Sequence, residues 1–345
     1  MIFEVGAEES PCSFPTLVSH TCARWRKVAL DKSSLWSFID FSDYPPFQRT
    51  ALWLQRSRKS LLSIHLSVDH LERGRSGFDP DAGQVRHALR MLHPELHRWG
   101  SLTACLPPEP LRELLKVCAT YETPSYLHSL SLQCTENEAI DEYYQLFRGS
   151  TPRLRRVRLV QVPLLWNGPI FDSLTHLHLE GLEEEIAPSL QQVDNILKRC
   201  SQLEELTLDQ AGIVLAEEPD DFSFSPIVLP KLQLTQWTQL ERDMYVWLSK
   251  WILAPIAHTY IGWVGRDDPE FREAIDNLAN RCPFPSMRRL RTQYAETCTP
   301  VLVRMLSVMT QLVEVSFSFK CVVMFYNLTS HTRSKCFSAR SALMP

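Results

Sequence analysis

One spacing constrains this chain more than any other feature. L-x-x-L-x-L recurs as Leu127-Leu130-Leu132, Leu154-Val157-Leu159, Leu174-Leu177-Leu179, Leu203-Leu206-Leu208 and Leu229-Leu232-Leu234. Looser copies stand at Met287-Leu290-Thr292 and Leu312-Val315-Phe317, and an early one at Leu61-Ile64-Leu66. The starts at 127, 154, 174, 203 and 229 lie 27, 20, 29 and 26 residues apart. That is the period of roughly 20–29 residues found where one short strand is laid down per repeat. From 229 to 287 the gap is 58 residues, about two periods, so a degenerate copy is expected between Leu253 and Ile261, in a register these residues leave open.

Apolar stripes at helical spacing fall between the copies. They are Leu111-Leu114-Leu115-Cys118, Ile140-Tyr143-Tyr144-Phe147, Leu190-Val193-Leu197-Cys200, Met244-Trp247-Leu248-Trp251, Phe271-Ile275-Leu278 and Leu302-Met305-Leu306-Met309. Each precedes a strand by a few residues. Helix and strand alternating at this period predict an α/β fold resembling a leucine-rich-repeat solenoid, with parallel strands on the concave face and helices outside.

Residues 17–36, LVSHTCARWRKVALDKSSLW, stand apart from the repeats. Val18, Cys22, Trp25 and Ala29 fall at steps of four, three and four, the stripe of one amphipathic helix. Asp31, Ser33 and Ser34 interrupt it and can cap a following turn, after which Leu35 and Trp36 return to the core. The run Val18-Ser19, Cys22, Trp25-Arg26, Ala29-Leu30 and Leu35-Trp36 resembles the second half of an F-box, in the version common among the expanded fungal F-box proteins. An F-box begins upstream with a Leu-Pro pair and a first helix. Here only residues 1–5 precede the linker at 6–15, so the F-box is expected to be truncated at its N-terminus.

The resemblance implies a substrate-recognition subunit of an SCF-type ubiquitin ligase. The F-box would dock on the Skp adaptor through Val18, Cys22, Trp25, Ala29, Leu35 and Trp36, although an apolar stripe serves an internal core equally well. The repeats would hold an unidentified target protein. The alternative is a protein-binding scaffold outside any ligase, or an incomplete fragment lacking adaptor binding.

Composition narrows the partners. The net charge is −4, which favours neither nucleic acid nor a membrane surface. Hydrophobic residues make up 44% and charged ones 22%, the balance of a folded chain. No secretory leader or membrane-length apolar run is read. The ten cysteines occur singly, without a C-x-x-C pair, and are expected to be reduced, in the cytoplasm and/or nucleus. The Asn327-Leu328-Thr329 sequon then has no role.

No enzyme, metal or cofactor is expected. There is no G-x-S-x-G, P-loop or G-x-G-x-x-G among only 11 glycines. His93 and His97 are four apart, but Pro94 lies between them and only His87 is nearby. The runs Glu183-Glu184-Glu185 and Glu217-Glu218-Pro219-Asp220-Asp221 read as solvated loops. Among Trp237, Trp247, Trp251 and Trp263, core packing accounts for Trp247 and Trp251.

Strand alternation indicates where partners would bind. The residues before the second and third leucines face solvent: Arg156 and Arg158, His176 and His178, Glu205 and Thr207, Lys231 and Gln233, Arg289 and Arg291. Ser129, Ser131, Glu314 and Ser316 join them. Guanidinium pairs suit an acidic or phosphorylated segment. The expected organisation is a partial F-box at 1–40, a linking region with a degenerate repeat at 41–110, repeats at 111–319, and a disordered or truncated tail at 320–345.

Overall fold

Apolar residues at every second position form strands, because a pleated strand sends neighbouring side chains to opposite faces. In the computed structural model the described residues are 6–7, 9–41, 43, 45–67, 81–136, 140, 142–149, 151–214, 225–263, 273, 277, 287–293, 303, 306–319 and 322–327. The chain divides into two compact units, Met1–Asp172 and Ser173–Pro345.

The first unit opens with α1 (Phe14–Thr21), α2 (Ala23–Asp31), a 3-10 turn (Ser33–Trp36) and β1 (Phe38–Asp40). Then come α3 (Gln48–Ser57), β2 (Leu62–Ser67), α4 (Ala82–Leu92), a 3-10 turn (His93–Arg98), β3 (Trp99–Leu106), α5 (Pro108–Thr120), β4 (Ser129–Cys134) and β5 (Arg156–Val160). β1 to β5 pair in chain order and all in parallel. Parallel neighbours need crossovers, and α3, α4 and α5 supply the first three. Between β2 and β3 the register slips after Leu62. Gly100 sits at that slip, where a Cβ would come within 3.2 Å of the Leu62 carbonyl oxygen.

The β4–β5 connection departs from the helical stripe expected over Ile140-Tyr143-Tyr144-Phe147. Its described residues are irregular, and their backbone groups bond to other segments. Tyr144 bridges Leu164, Phe147 donates to the Cys118 carbonyl at 3.1 Å, and Arg148 donates to that of Tyr121 at 2.9 Å. Ile140, Tyr144 and Phe147 are buried while Tyr143 is exposed, so the spacing reported burial at three of its four positions and not a helix.

Residues 17–36 likewise are not one helix. Cys22 is extended (φ −158°, ψ 167°) and separates α1 from α2, its Sγ accepting the Trp25 N–H at 3.5 Å. The break turns α2 back against α1, and Arg26 Nε ties the corner by donating to the Ser19 carbonyl at 2.7 Å.

The second unit contains β6 (His176–Leu182), α6 (Leu190–Arg199), β7 (Glu205–Ala211), β8 (Ile227–Val228), β9 (Leu234–Thr238), α7 (Arg242–Trp251), β10 (Ile252–Leu253), β11 (Thr259–Trp263), β12 (Arg289–Gln293), β13 (Glu314–Phe319) and β14 (Val322–Asn327). β6, β7, β9, β11, β12 and β13 form a parallel ladder, and β14 adds antiparallel to β13. β8 and β10 pair separately. The expected helices at Leu111–Cys118, Leu190–Cys200 and Met244–Trp251 are α5, α6 and α7. α6 starts in a reciprocal cap: Gln192 N–H donates to Ser189 Oγ, and Ser189 N–H donates to Gln192 Oε1.

A recurring hydrogen-bond motif sets the register in each unit. One carbonyl accepts two consecutive N–H groups from the strand start that follows. His128 O accepts from Arg155 and Arg156. Thr175 O accepts from Glu204 and Glu205, Glu204 O from Gln233 and Leu234, Gln233 O from His258 and Thr259, His258 O from Arg288 and Arg289, and Arg288 O from Val313 and Glu314. The carbonyl lies one residue after the first apolar position of each copy. The fifth copy is therefore Leu232-Thr235-Trp237, three residues beyond the expected Leu229-Leu232-Leu234. Leu229 is instead the turn residue whose carbonyl accepts the Leu232 N–H, as the Cys200 carbonyl accepts that of Leu203. The degenerate copy is Ala257-Tyr260-Gly262, with Tyr260 opposite both Thr235 and Leu290.

The ladder also extends upstream of residue 111. Trp99-Leu102-Ala104 is a copy in β3, and Trp36 and Ile39 with Phe41 supply the buried positions around β1. In the early copy, Leu62 and not Leu61 is buried beside Ile64 and Leu66. Val322–Asn327, at the start of the segment expected to be a disordered or truncated tail, forms β14. Residues 1–5, the acidic run 217–221, the stripe Phe271-Ile275-Leu278, the stripe members Leu302 and Met305, the Trp263 side chain and the tail from 328 lie outside the described residues.

Candidate functional site

The alternation that buries each ladder's leucines turns a second set of side chains to an open face. In the first unit this face is arranged in rows across β2 to β5. Cα register places Ser63, Ser101, Ser129 and Arg156 in one row, and His65, Thr103, Ser131 and Arg158 in the next. Ser63 Oγ and Ser101 Oγ are 2.9 Å apart, and Arg158 Nη1 donates to Gln133 Oε1 at 3.2 Å. His65 lies against the Phe38 ring at 4.3 Å. Burial lowers its pKa below the ordinary histidine value, partly offset by Asp40. Arg156 is exposed, while Ser129, Ser131 and Arg158 are half-buried.

The second unit's open face sets basic groups beside carboxylates. His178 Nε2 lies 2.8 Å from Glu180 Oε2, and His176 Nε2 lies 3.7 Å from Glu205 Oε1. Arg289 Nε and Arg291 Nη2 both face the Glu314 carboxylate, at 3.4 and 3.6 Å. His176, His178, Glu205, Arg289 and Arg291 thus occupy the expected face, but with carboxylates beside the basic groups. Lys231 does not. The register shift leaves it in the exposed turn before β9, and Leu234 and Gln236 stand opposite Glu205 and Thr207 instead. The expected open-face set also omitted Ser63 and His65, which the copy at Leu61-Ile64-Leu66 implies, and the pattern missed Ser101 and Thr103. Admitting Trp and Ala at the leucine positions of 99–104 would have found the β3 pair.

The six F-box-like residues separate into two groups. Val18, Ala29, Leu35 and Trp36 are buried within the protein, and Trp36 Nε1 donates to the Ala29 carbonyl at 2.7 Å. Trp53 packs edge-on to Trp36 at 5.4 Å, and the Arg56 guanidinium lies 4.4 Å from its ring centre. Cys22 and Trp25 face outward. Trp25 is 44% exposed, and α1 and α2 further expose Leu17 (67%) and Val28 (41%). The expected single stripe is thus split: its ends serve the core and its middle faces solvent.

The other candidates are structural. His93 stacks on Tyr121 at 4.4 Å, and the Tyr121 hydroxyl, pushed up to about 12 by burial, donates to the Leu89 carbonyl at 3.0 Å. Trp237 and Trp251 are buried, with Trp237 edge-on to Tyr260 at 5.7 Å. Glu183, Glu184 and Glu185 are exposed. Among the described residues no group of three or more His, Cys, Asp or Glu side chains is placed to hold a metal, and no helix is long and apolar enough to cross a membrane. Compared with known proteins, the chain matches no family model and no curated sequence.

Proposed function

We propose that this chain is a substrate-recognition subunit of an SCF-type ubiquitin ligase. On this reading the α1–α2 corner docks on the Skp adaptor, and the open strand faces of a leucine-rich-repeat solenoid hold the target protein. The receptor carries out no chemistry and takes no cofactor. It raises the local concentration of target lysines at the transfer machinery. The supporting observation is the outward apolar surface of Leu17, Trp25 and Val28 on the same corner that bears the F-box-like motif. Exposed aromatic and aliphatic side chains grouped on one surface suit a protein partner.

A second reading is a protein-binding scaffold outside any ligase. It is favoured by the internal burial of Val18, Ala29, Leu35 and Trp36, which gives four of the six motif residues a complete role in the core. Titration against purified Skp adaptor, with Trp25→Ala in parallel, separates the two. Binding that Trp25→Ala abolishes supports the receptor. No binding by a chain that is folded by circular dichroism leaves the scaffold.

A further inference from the structure

Two outer strands are finished differently. β1, at the outside of the first unit's ladder, is three residues long and ends on Asp40. Asp43, Pro45 and Pro46 follow it, and α3 then packs against it. Short length, charge, proline and a covering helix are devices that keep an edge strand from pairing with another chain. β14, at the outside of the second unit's ladder, lacks the first three. It is six residues long, and residues 321–332, CVVMFYNLTSHT, contain no Asp, Glu, Lys, Arg or Pro.

The backbone groups on the far edge of β14 follow from the ladder. Glu314 N–H donates to the Arg288 carbonyl at 3.0 Å, so Glu314 turns its backbone groups towards β12. Successive residues of a strand bond to opposite sides, so Val315, Phe317 and Phe319 face β14. Their partners there are Tyr326, Met324 and Val322. Val323, Phe325 and Asn327 therefore present their N–H and C=O groups to the other side, where no strand pairs with them among the described residues. Such a row is a template for another extended segment.

We propose that β14 pairs antiparallel with β14 of a second copy of this chain, about a two-fold axis at Phe325. This register uses all three outward residues: Phe325 exchanges both backbone bonds with its own counterpart, and Val323 faces Asn327 of the second copy. Self-pairing sets like against like, so a charge near the centre would meet the same charge. The nearest charged residues, Lys320 and Arg333, stand five and eight positions from Phe325. A neutral edge offers a foreign strand no charge to select, whereas a second copy matches it in length and direction by symmetry. The pairing is independent of the ligase reading. It gives each assembly two α1–α2 corners and two sets of open strand faces, so that partners are engaged bivalently.

The test is sedimentation equilibrium of the full-length chain and of its Phe325→Lys and Phe325→Glu variants. The wild-type mass should rise from 39.8 kDa towards twice that value as the concentration is raised, over the micromolar range that a small interface supports. Each variant alone should stay monomeric, because like charges meet at the axis. An equimolar mixture of the two variants should recover the dimer. That recovery requires the two positions 325 to meet, which a merely structural loss in either variant would not reproduce. Circular dichroism checks that each variant keeps its fold. A wild-type chain that stays monomeric, a dimer that either charge leaves intact, or a mixture that stays monomeric would each overturn the proposal. So would growth past the dimer, since the pairing uses up the far edge of β14. A negative adaptor titration would leave it standing.

Discussion

The buried Arg98 guanidinium donates to the Ser57 hydroxyl at 2.8 Å, joining the turn before β3 to the end of α3. The same group donates to the carbonyls of Ser60 and Leu54 at 3.0 and 3.1 Å and meets Glu95 at 2.7 Å. Only 4% of its side chain is exposed. α3 ends with open carbonyls, as every helix does, and this fork satisfies one of them. Arg98→Ala should cost about 3 kcal/mol, since it strands buried acceptors and leaves a cavity. Arg98→Lys should recover only part of that, because an ammonium lacks the planar fork. Urea unfolding midpoints measure both.

The F-box-like residues should separate by assay. Trp36→Ala removes a fully buried indole and its bond to the Ala29 carbonyl, and should cost about 3–5 kcal/mol. Trp25→Ala removes a side chain nearly half in solvent, and should cost about 1 kcal/mol or less. If the adaptor docks on the corner, Trp25→Ala abolishes binding while the unfolding curve barely moves.

The register of β9 makes a third prediction. Leu232 is buried, whereas Leu234 lies opposite Glu205 on the open face and is only half-buried. Leu232→Ala should cost about 2–4 kcal/mol, and Leu234→Ala no more than about 1 kcal/mol. Equal costs would contradict the register.

His65 makes stability depend on pH. Its pKa is lowered in the folded protein, first by burial, against the opposing effect of Asp40. Below the unfolded value of 6.5 the unfolded chain binds a proton that the folded chain resists. The contribution is therefore full above that pH and is lost as pH falls through 6.5 towards the lower folded value. Phe38, Ser63, Asp40 and Thr103 are the neighbours on its face. The urea midpoint should fall between pH 7.5 and 5.5, and His65→Asn should reduce that fall.

Cysteine reactivity reports the core of the first unit. Cys118 is fully buried and its thiol is pushed up to about 12 by desolvation, while Cys22 is exposed. At pH 8, peptide mapping after brief alkylation should find Cys22 modified in the native protein and Cys118 modified only after denaturation.

The ladder was readable in the sequence wherever leucine or valine occupies the inward positions, because burial on one strand face is a local, period-two property. The pairs Leu130-Leu132, Val157-Leu159, Leu177-Leu179 and Leu206-Leu208 are buried as their spacing implies. That rule failed where another residue type fills an inward position or a leucine fills a turn. Thr235 and Trp237 hide the true strand at β9, and Leu229 counterfeits its start. Ile140, Tyr144 and Phe147 show the same ambiguity, since their apolar spacing matches burial without a helix, while Tyr143 of the same stripe is exposed. Tertiary structure alone decided these cases, through the carbonyls of His128, Glu204 and Gln233, whose paired hydrogen bonds couple each strand start to the one before it. It also decided which charges meet. Arg289 and Arg291 lie on β12 and Glu314 on β13, and only the ladder's register brings the arginines to the carboxylate. Local spacing determines which side of a strand a residue occupies, whereas its neighbour across the sheet depends on long-range pairing that no single segment encodes.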